Sequence, residues 1–406
     1  MLKSPQWRPV AALRSFSLTM PADPLTTTRE SADEAYQDHI LPDVSRTFAL
    51  TIPQLPAALR TSVTSAYLLC RIADTIEDEP ALIADATLVY LNRFVAVLAG
   101  REPASALARD LLPHLSQQTL AAERDLVRHM ERVVRVTARL PEAQRFAIQR
   151  CVEIMCSGMH QFQQTASLRG LPHLTDLDDY CYYVAGVVGQ MLTELFCSYS
   201  PAIEQHRAQL NELAVSFAQG LQMTNILKDV WEDRSRGACW LPQEVFSRRG
   251  VDLARIAPGQ NSRGFDEGMH ELTGVTHAHL RNALSYTLLI PARETGIRRF
   301  LLWAIGLAVL TLRKIVANPG FTSGQQVKIR RSAVAGTRIS TNLALRSNWM
   351  LRQLFNAAAR GLPLTPVVLA RRAALSTVAP AAEYTPPLRH MSVERGIRRS
   401  EGRSAL

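Results

Sequence analysis

Two short stretches of this sequence set pairs of carboxylates at helical spacing. In the first, Tyr67, Arg71, Asp74 and Asp78 are separated by 4, 3 and 4 residues, so a helix carries all four on one face. In the second, Gln222, Asn225, Asp229 and Asp233 follow at 3, 4 and 4, a polar stripe about 16 Å long at the rise of an α-helix. A single acidic helix end is common at a protein surface. Two Asp-x-x-x-Asp faces, the second flanked by Leu221, Ile226, Leu227 and Val230, are harder to explain as solvated edges. Carboxylates four residues apart repel unless positive charge sits between them. Facing carboxylates suit a hard divalent cation, and Mg²⁺ usually takes one or two of them together with substrate phosphate oxygens. The spacing therefore predicts a diphosphate bridged through Mg²⁺ to Asp74, Asp78, Asp229 and Asp233. Arg46, Arg71 and Lys228 supply cations for the phosphate oxygens. A di-iron bundle would need two Glu-x-x-His pairs, which the chain does not carry.

A third stretch, Tyr180 to Met191 (YCYYVAGVVGQM), is apolar and rich in small residues. Ala185, Gly186 and Gly189 leave room either for close helix packing or for a long ligand. Tyr180 and Tyr183 bring hydroxyls and π-faces to a greasy wall, which suits the neighbourhood of a cationic intermediate.

All three stretches need helices to position them, and the rest of the sequence supplies little else. Apolar residues recur at i, i+3, i+4 and i+7 between breaks at Pro53 and Pro56, Pro80, Pro141, Gly170–Pro172, Pro201, Pro242, Pro291 and Asn318–Gly320. There is no strand-like alternation, fixed repeat or internal linker. The reading is one all-α domain over 36–361, a layered helical bundle with a central cavity. Residues 1–35 read as a flexible arm, and 362–406 as a Pro-containing basic tail.

Composition narrows the class. Of 406 residues, 47 % are hydrophobic and 20 % charged, which is globular. The longest apolar run, Phe300–Leu312 between Arg299 and Arg313, is short for a membrane span and reads as a core helix. Six cysteines form no Cys-x-x-Cys pair and no zinc spacing, so free thiols in a cytoplasmic protein are expected. The net charge of +10 suits an anionic partner. The arginines are scattered rather than alternating with aromatics, so nucleic acid is not expected.

With these residues in view, the sequence resembles the squalene/phytoene synthase family of head-to-head prenyl transferases. The resemblance rests on Ser45-Arg46-Thr47-Phe48, Arg71 to Asp78, Tyr180 to Gly189 and Gln222 to Asp233, in that order over roughly 38–335. It implies the all-α isoprenoid synthase bundle. The YCYYVAG form and Gln325–Arg331 (QQVKIRR) are most similar to the squalene synthase branch, in which the latter piece contacts NADPH. What the resemblance implies is condensation of two farnesyl diphosphates through presqualene diphosphate, then reduction by NADPH. Tyr180 then lies near the proton removed on ring closure. Ser45, Arg46, Tyr67 and Arg71 place the first diphosphate, and Gln222, Asn225 and Lys228 orient the opposite side. Lys328, Arg330 and Arg331 hold NADPH. Two departures stand out: Lys228 where the family usually has arginine, and an altered loop from Arg234 to Trp240. Sister enzymes stop at presqualene diphosphate or give dehydrosqualene or phytoene without reduction. A non-catalytic assembly factor of the family would lose motif carboxylates, and all four are present. The chain is expected to act as a monomer, with its basic tail touching an anionic membrane surface peripherally.

Overall fold

The computed structural model describes residues 24–375 apart from 46, 261, 370, 371 and 374. The helices that build the site are α1 (Pro24–Val44), α2 (Ala57–Glu77), α3 (Met130–Ala138), α4 (Glu142–Gln163), α5 (Leu174–Cys181), α6 (Val187–Tyr199), α7 (Arg207–Lys228), α8 (Val230–Ser235), α9 (Arg263–Leu289), α10 (Thr295–Ala317), α11 (Arg331–Ala344) and α12 (Asn348–Ala358). Among the described residues there is no strand, only an isolated bridge between Leu171 and Pro242. The expected all-α architecture is what forms.

Proline and asparagine set several helix ends where the sequence predicts them. Pro56 precedes α2, Pro141 precedes α4, and Asn318 closes α10. The bundle is organised around α7, which packs against α6, α9 and α10 and most extensively against α9. Small residues make this possible. A Cβ at Gly220 would lie 3.1 Å from the Leu280 backbone nitrogen on α9, and one at Gly189 would lie 2.3 Å from the Ala214 carbonyl on α7. The glycines of the third stretch therefore serve close packing.

Two large polar groups buried in these contacts are paired. His279 on α9 is 3 % exposed, and its Nδ1 lies 2.8 Å from the Ser216 hydroxyl on α7. Arg298 is 1 % exposed and donates to Ile290 O and Leu345 O, the carbonyls that end α9 and α11. A guanidinium there complements two helix C-termini. This arginine lies in α10, the one helix among the described residues long and apolar enough to cross a membrane, with mean hydropathy 1.9 over its best window. In the fold α10 packs against α7, α9, α11 and α12, as expected of a core helix. All six cysteines are free and buried.

Burial holds His279 at about 4, well below its ordinary 6.5. Between those values the unfolded chain binds a proton that the folded chain refuses, so stability is expected to fall as pH drops from 6.5 towards 4. This side chain alone accounts for a loss of about 3 kcal/mol at the acid end. Thermal melts of the wild type and His279→Gln between pH 7 and 4.5 test it. The variant should show the shallower slope, and parallel slopes would refute the assignment.

The expected ends need correcting at both boundaries. The helical body already includes α1 from Pro24, ahead of the expected 36: within α1, Asp33 is 1 % exposed and takes two hydrogen bonds of 2.8 Å from Arg135 on α3. At the other boundary the chain after Gly361 does not leave the body. The Pro363 carbonyl lies 2.8 Å from His277 Nδ1, Gln190 Nε2 donates to Ala373 O at 2.8 Å, Arg372 pairs with Asp179, and Leu375 is 1 % exposed. The described residues of 362–375 thus form a strap across α9, α5 and α6. A short, proline-marked stretch gives no periodic signal for such packing. The rest of the expected arm and tail, 1–23 and 376–406, lies outside the described residues.

Candidate active site

Helix α2 delivers the first stripe. Its buried side, including Leu68, Leu69, Ile72 and Ile76, anchors it in the core, and Arg71, Asp74 and Asp78 fall on the other face. Arg71 lies 3.7 Å from Asp74 and is clamped by Glu123 on the short helix Ala121–Arg128. Burial opposes its charge, but Asp74 and Glu123 outweigh that and raise its pKa above the usual arginine value. Tyr67 donates to the Val44 carbonyl at 3.0 Å and stacks near Phe48, and Ser45 Oγ accepts from the Phe48 amide at 3.0 Å. Ser45 and Tyr67 therefore close the N-terminal side of the stripe. Arg46 lies outside the described residues.

The second stripe is not one uninterrupted helix. It turns at Asp229, where α7 ends and α8 begins, although Asp229 N and Asp233 N still bond four residues back at 2.8 and 2.9 Å. The helical side-chain spacing survives the break. Lys228 pairs with Asp229 at 2.9 Å and Arg236 with Asp233 at 3.0 Å. Gln222 is half-buried and Asn225 exposed on the same run.

The two stripes lie within each other's electrostatic reach. Asp74 is pushed up to about 7 by burial, against the pull of Arg71 and with a further push from Asp78 and Glu123. Asp233 is pushed up to about 6 by burial, with Arg236 opposing and Asp229 and Asp78 adding. Glu77 rises well above the carboxylate range from burial and from Asp78 and Asp74, with Arg236 opposing. Solvent still touches these groups: the Asp74 side chain keeps 36 % of its surface open. They are half-buried, mutually repelling carboxylates. Arg236 acts on Glu77, Asp78 and Asp233 together, a cation between the stripes.

Such a donor set fits a hard divalent cation bound with an anionic substrate. Two buried polar atoms at the site lack a hydrogen-bond partner among the described residues: Arg71 Nε, a donor, and Glu232 Oε2, an acceptor. Phosphate oxygens and a cation would satisfy them respectively. Among the described residues no three His, Cys, Asp or Glu side chains converge on one point, so protein ligands alone do not complete a metal shell. The chemistry calls for phosphate oxygens in the remaining positions.

An aromatic wall borders the carboxylates. Tyr180, at the end of α5, is 8 % exposed and stacks on Trp240 at 4.1 Å and 8°, with Phe162 edge-on at 5.4 Å. Burial holds the Tyr180 hydroxyl well above 10, and Glu77, Asp233 and Asp78 push the same way. The third stretch, expected as one helix, widens into a π-turn at Tyr182–Gly186 between α5 and α6, a distortion often found at functional sites. Tyr183 fills the space over Gly158, where a Cβ would lie 2.1 Å from its ring.

The loop carrying the expected cofactor cations meets the second stripe. Gly324 N donates to Glu232 Oε1 at 2.8 Å, and a Cβ on Gly324 would lie 2.7 Å from Asp229 Oδ1. Trp231 Nε1 bonds Phe321 O at 2.7 Å and fixes the loop's entry. Lys328, Arg330 and Arg331 follow, all exposed, with Arg330 immediately before α11.

Sequence reasoning gave no role to Glu77, Glu123, Phe162 or Trp240, and left Arg236 without a place. Glu77 carried a signal, standing three residues after Asp74. Glu123 and Phe162 reach the site only through tertiary packing.

A helical bundle with two facing carboxylate stripes and an aromatic wall is the architecture of isoprenoid-diphosphate chemistry. Residues 41–333 match the squalene/phytoene synthase family, and the chain belongs to that family, whose members are prenyltransferases. It is 28 % identical to the squalene synthase of Eremothecium gossypii, over 79 % of this chain and 70 % of that one. It is 27 % identical to that of Saccharomyces cerevisiae, over 80 % and 71 %. Among solved structures, TcSQS in complex with BPH1237 shares the fold with a TM-score of 0.62 and 23 % identity, over 82 % of this chain and 98 % of that one. A dehydrosqualene synthase in complex with a ligand shares it at 0.59 and 22 %, over 79 % and 99 %.

Proposed function

We propose that the protein condenses two molecules of farnesyl diphosphate head to head through presqualene diphosphate and reduces the product to squalene with NADPH. The observation that carries this reading is the shared field of the Asp74–Asp78 and Asp229–Asp233 stripes, with Arg236 between them. Asp74, Asp78, Asp229 and Asp233 would hold Mg²⁺, which supplies charge neutralisation for a departing diphosphate. Arg71, held in place by Glu123, and Lys228 bind phosphate oxygens from the two sides. Ser45 and Tyr67 fix the first diphosphate beside α2. Gln222 and Asn225 orient the second side.

Tyr180 keeps its proton because burial and three carboxylates disfavour the phenolate. Its part is to orient the reacting chain near the proton lost on ring closure. The stacked Tyr180–Trp240 pair and Phe162 present π-density to an allylic cation and exclude water that would quench it. Lys328, Arg330 and Arg331 would hold the phosphates of NADPH, which would supply the hydride for the reduction.

Incubating the purified protein with farnesyl diphosphate and Mg²⁺, with and without NADPH, and identifying the hydrocarbon tests the reading. Squalene formed only with NADPH supports it. Dehydrosqualene, or presqualene diphosphate alone with excess NADPH, would replace it with the sister reaction. Removing the charges of Lys328, Arg330 and Arg331 together should spare the first half-reaction and let presqualene diphosphate accumulate. Equal loss of both halves would assign those cations to general diphosphate binding.

A further inference from the structure

The positive charge of this protein is concentrated in one segment. Between Thr295 and Ala382, 88 residues carry 13 arginines and lysines and no aspartate or glutamate. Since the whole chain is at +10, the remainder is at −3. The same segment contains Ile339, Leu343, Trp349, Met350, Leu364 and Val368, half of the large apolar side chains that stand exposed among the described residues.

Helix α11 is amphipathic in the wrong sense for a soluble surface. Apart from the half-buried Val334, its inward residues are small or hydroxylated: Ala333, Thr337, Ser340, Thr341 and Ala344. The hydroxyls of Thr337, Ser340 and Thr341 are satisfied by carbonyls of their own helix. Thr337 packs on α10 so closely that a Cβ at Gly306 would lie 2.5 Å from its methyl. The larger apolar residues, Ile339 and Leu343, face outward at 64 % and 75 % exposure, one turn apart. Trp349, at the start of α12, is 68 % exposed. Arg346 and Arg352 flank it, exposed and without an acidic partner among the described residues.

We propose that the outward face of α11 and the start of α12 is a docking surface for an anionic lipid bilayer. Ile339, Leu343 and Trp349 enter the headgroup boundary, and Arg346 and Arg352 meet lipid phosphates. Apolar side chains with an indole among arginines are the chemistry of a surface that lies on a membrane without crossing it. Charge selects this occupant over a second copy of the chain. Two such faces meeting about a two-fold axis would oppose like cations with no carboxylate to compensate them. The inference does not rest on the reaction proposed above.

Co-sedimentation of the full chain with phosphatidylcholine–phosphatidylglycerol vesicles, roughly 7:3, and with pure phosphatidylcholine vesicles tests it. The wild type should bind the anionic vesicles and be released as salt rises. Ile339→Ser/Leu343→Ser/Trp349→Ser, and separately Arg346→Glu/Arg352→Glu, should each lower partitioning about tenfold. Turnover in detergent should be unchanged in both. Brominated lipid should quench wild-type tryptophan fluorescence and spare Trp349→Phe, a reading that does not depend on the multiple variants folding. Wild-type binding by both variants, equal quenching in Trp349→Phe, or no binding to anionic vesicles would overturn the proposal. So would a wild-type dimer that the serine variant dissociates, which would assign the face to self-association.

Discussion

Asp78→Asn is expected to lose turnover by about three orders of magnitude while gaining rather than losing stability. The residue ends α2, and its amide bonds the Asp74 carbonyl at 2.8 Å. Its carboxylate makes no direct hydrogen bond or ion pair among the described residues, and asparagine has the same shape. The substitution therefore changes charge and little else. Burial and neighbouring carboxylates raise the pKa values of Asp74, Glu77 and Asp233, and Asp78 contributes to all three shifts. Removing its charge relieves that repulsion in the ligand-free chain. The melting temperature without metal should stay level or rise, and stabilisation on adding Mg²⁺ should shrink. Turnover should collapse in the variant, and in the wild type treated with EDTA. Full activity in EDTA, or a variant as active as the wild type, would remove the basis for the two-stripe site.

Cutting the chain after Gly361 should cost on the order of 5 kcal/mol and prevent recovery of a cooperatively folded protein, whereas cutting after Leu375 should not. The strap supplies partners that nothing else replaces. Gln190, 1 % exposed, would lose the Ala373 carbonyl, and Leu375 would leave its buried position. Arg372 lies 4.5 Å over the Tyr182 ring and pairs with Asp179, though that pair is half open to water and contributes little by itself. A Cβ at Gly274 would lie 3.0 Å from Thr365 N, which shows how closely the strap follows α9. Circular dichroism melts of both truncations decide the matter. A shorter chain that melts like the full one would restore the reading of everything after 361 as a tail.

The helical class, the two stripes and the aromatic segment were legible because each rests on local periodicity. Spacings of three and four residues put Asp74 beside Asp78 and Asp229 beside Asp233 whatever the rest of the chain does. What brings one pair towards the other is the packing of α2, α4, α5 and α7, and no local pattern encodes it. For the same reason Glu123 was not foreseen: it clamps Arg71 from 52 residues away. The break at Asp229 and the π-turn at Tyr182 escaped because neither carries proline, and each alters the ladder without ending the helical run. The boundaries failed in opposite ways. Asp33 is held by ion pairs with Arg132, Arg135 and Arg139, far along the chain, and the strap largely by carbonyl contacts that any residue type can make.

The strap also bears on the order in which the molecule assembles. Its contacts close very long loops: Arg372 to Asp179 spans 193 residues, and Ala373 to Gln190 spans 183. Contacts so remote in sequence form late, because the entropy of closing the loop is lost before the contact compensates for it. On the ribosome they cannot form until Arg372 and Ala373 have emerged. Until then Gln190 and the π-turn lack their cover, and the nascent bundle exposes the segment that carries the aromatic wall. Synthesis from the N-terminus thus makes emergence of the strap the event that seals this enzyme's core.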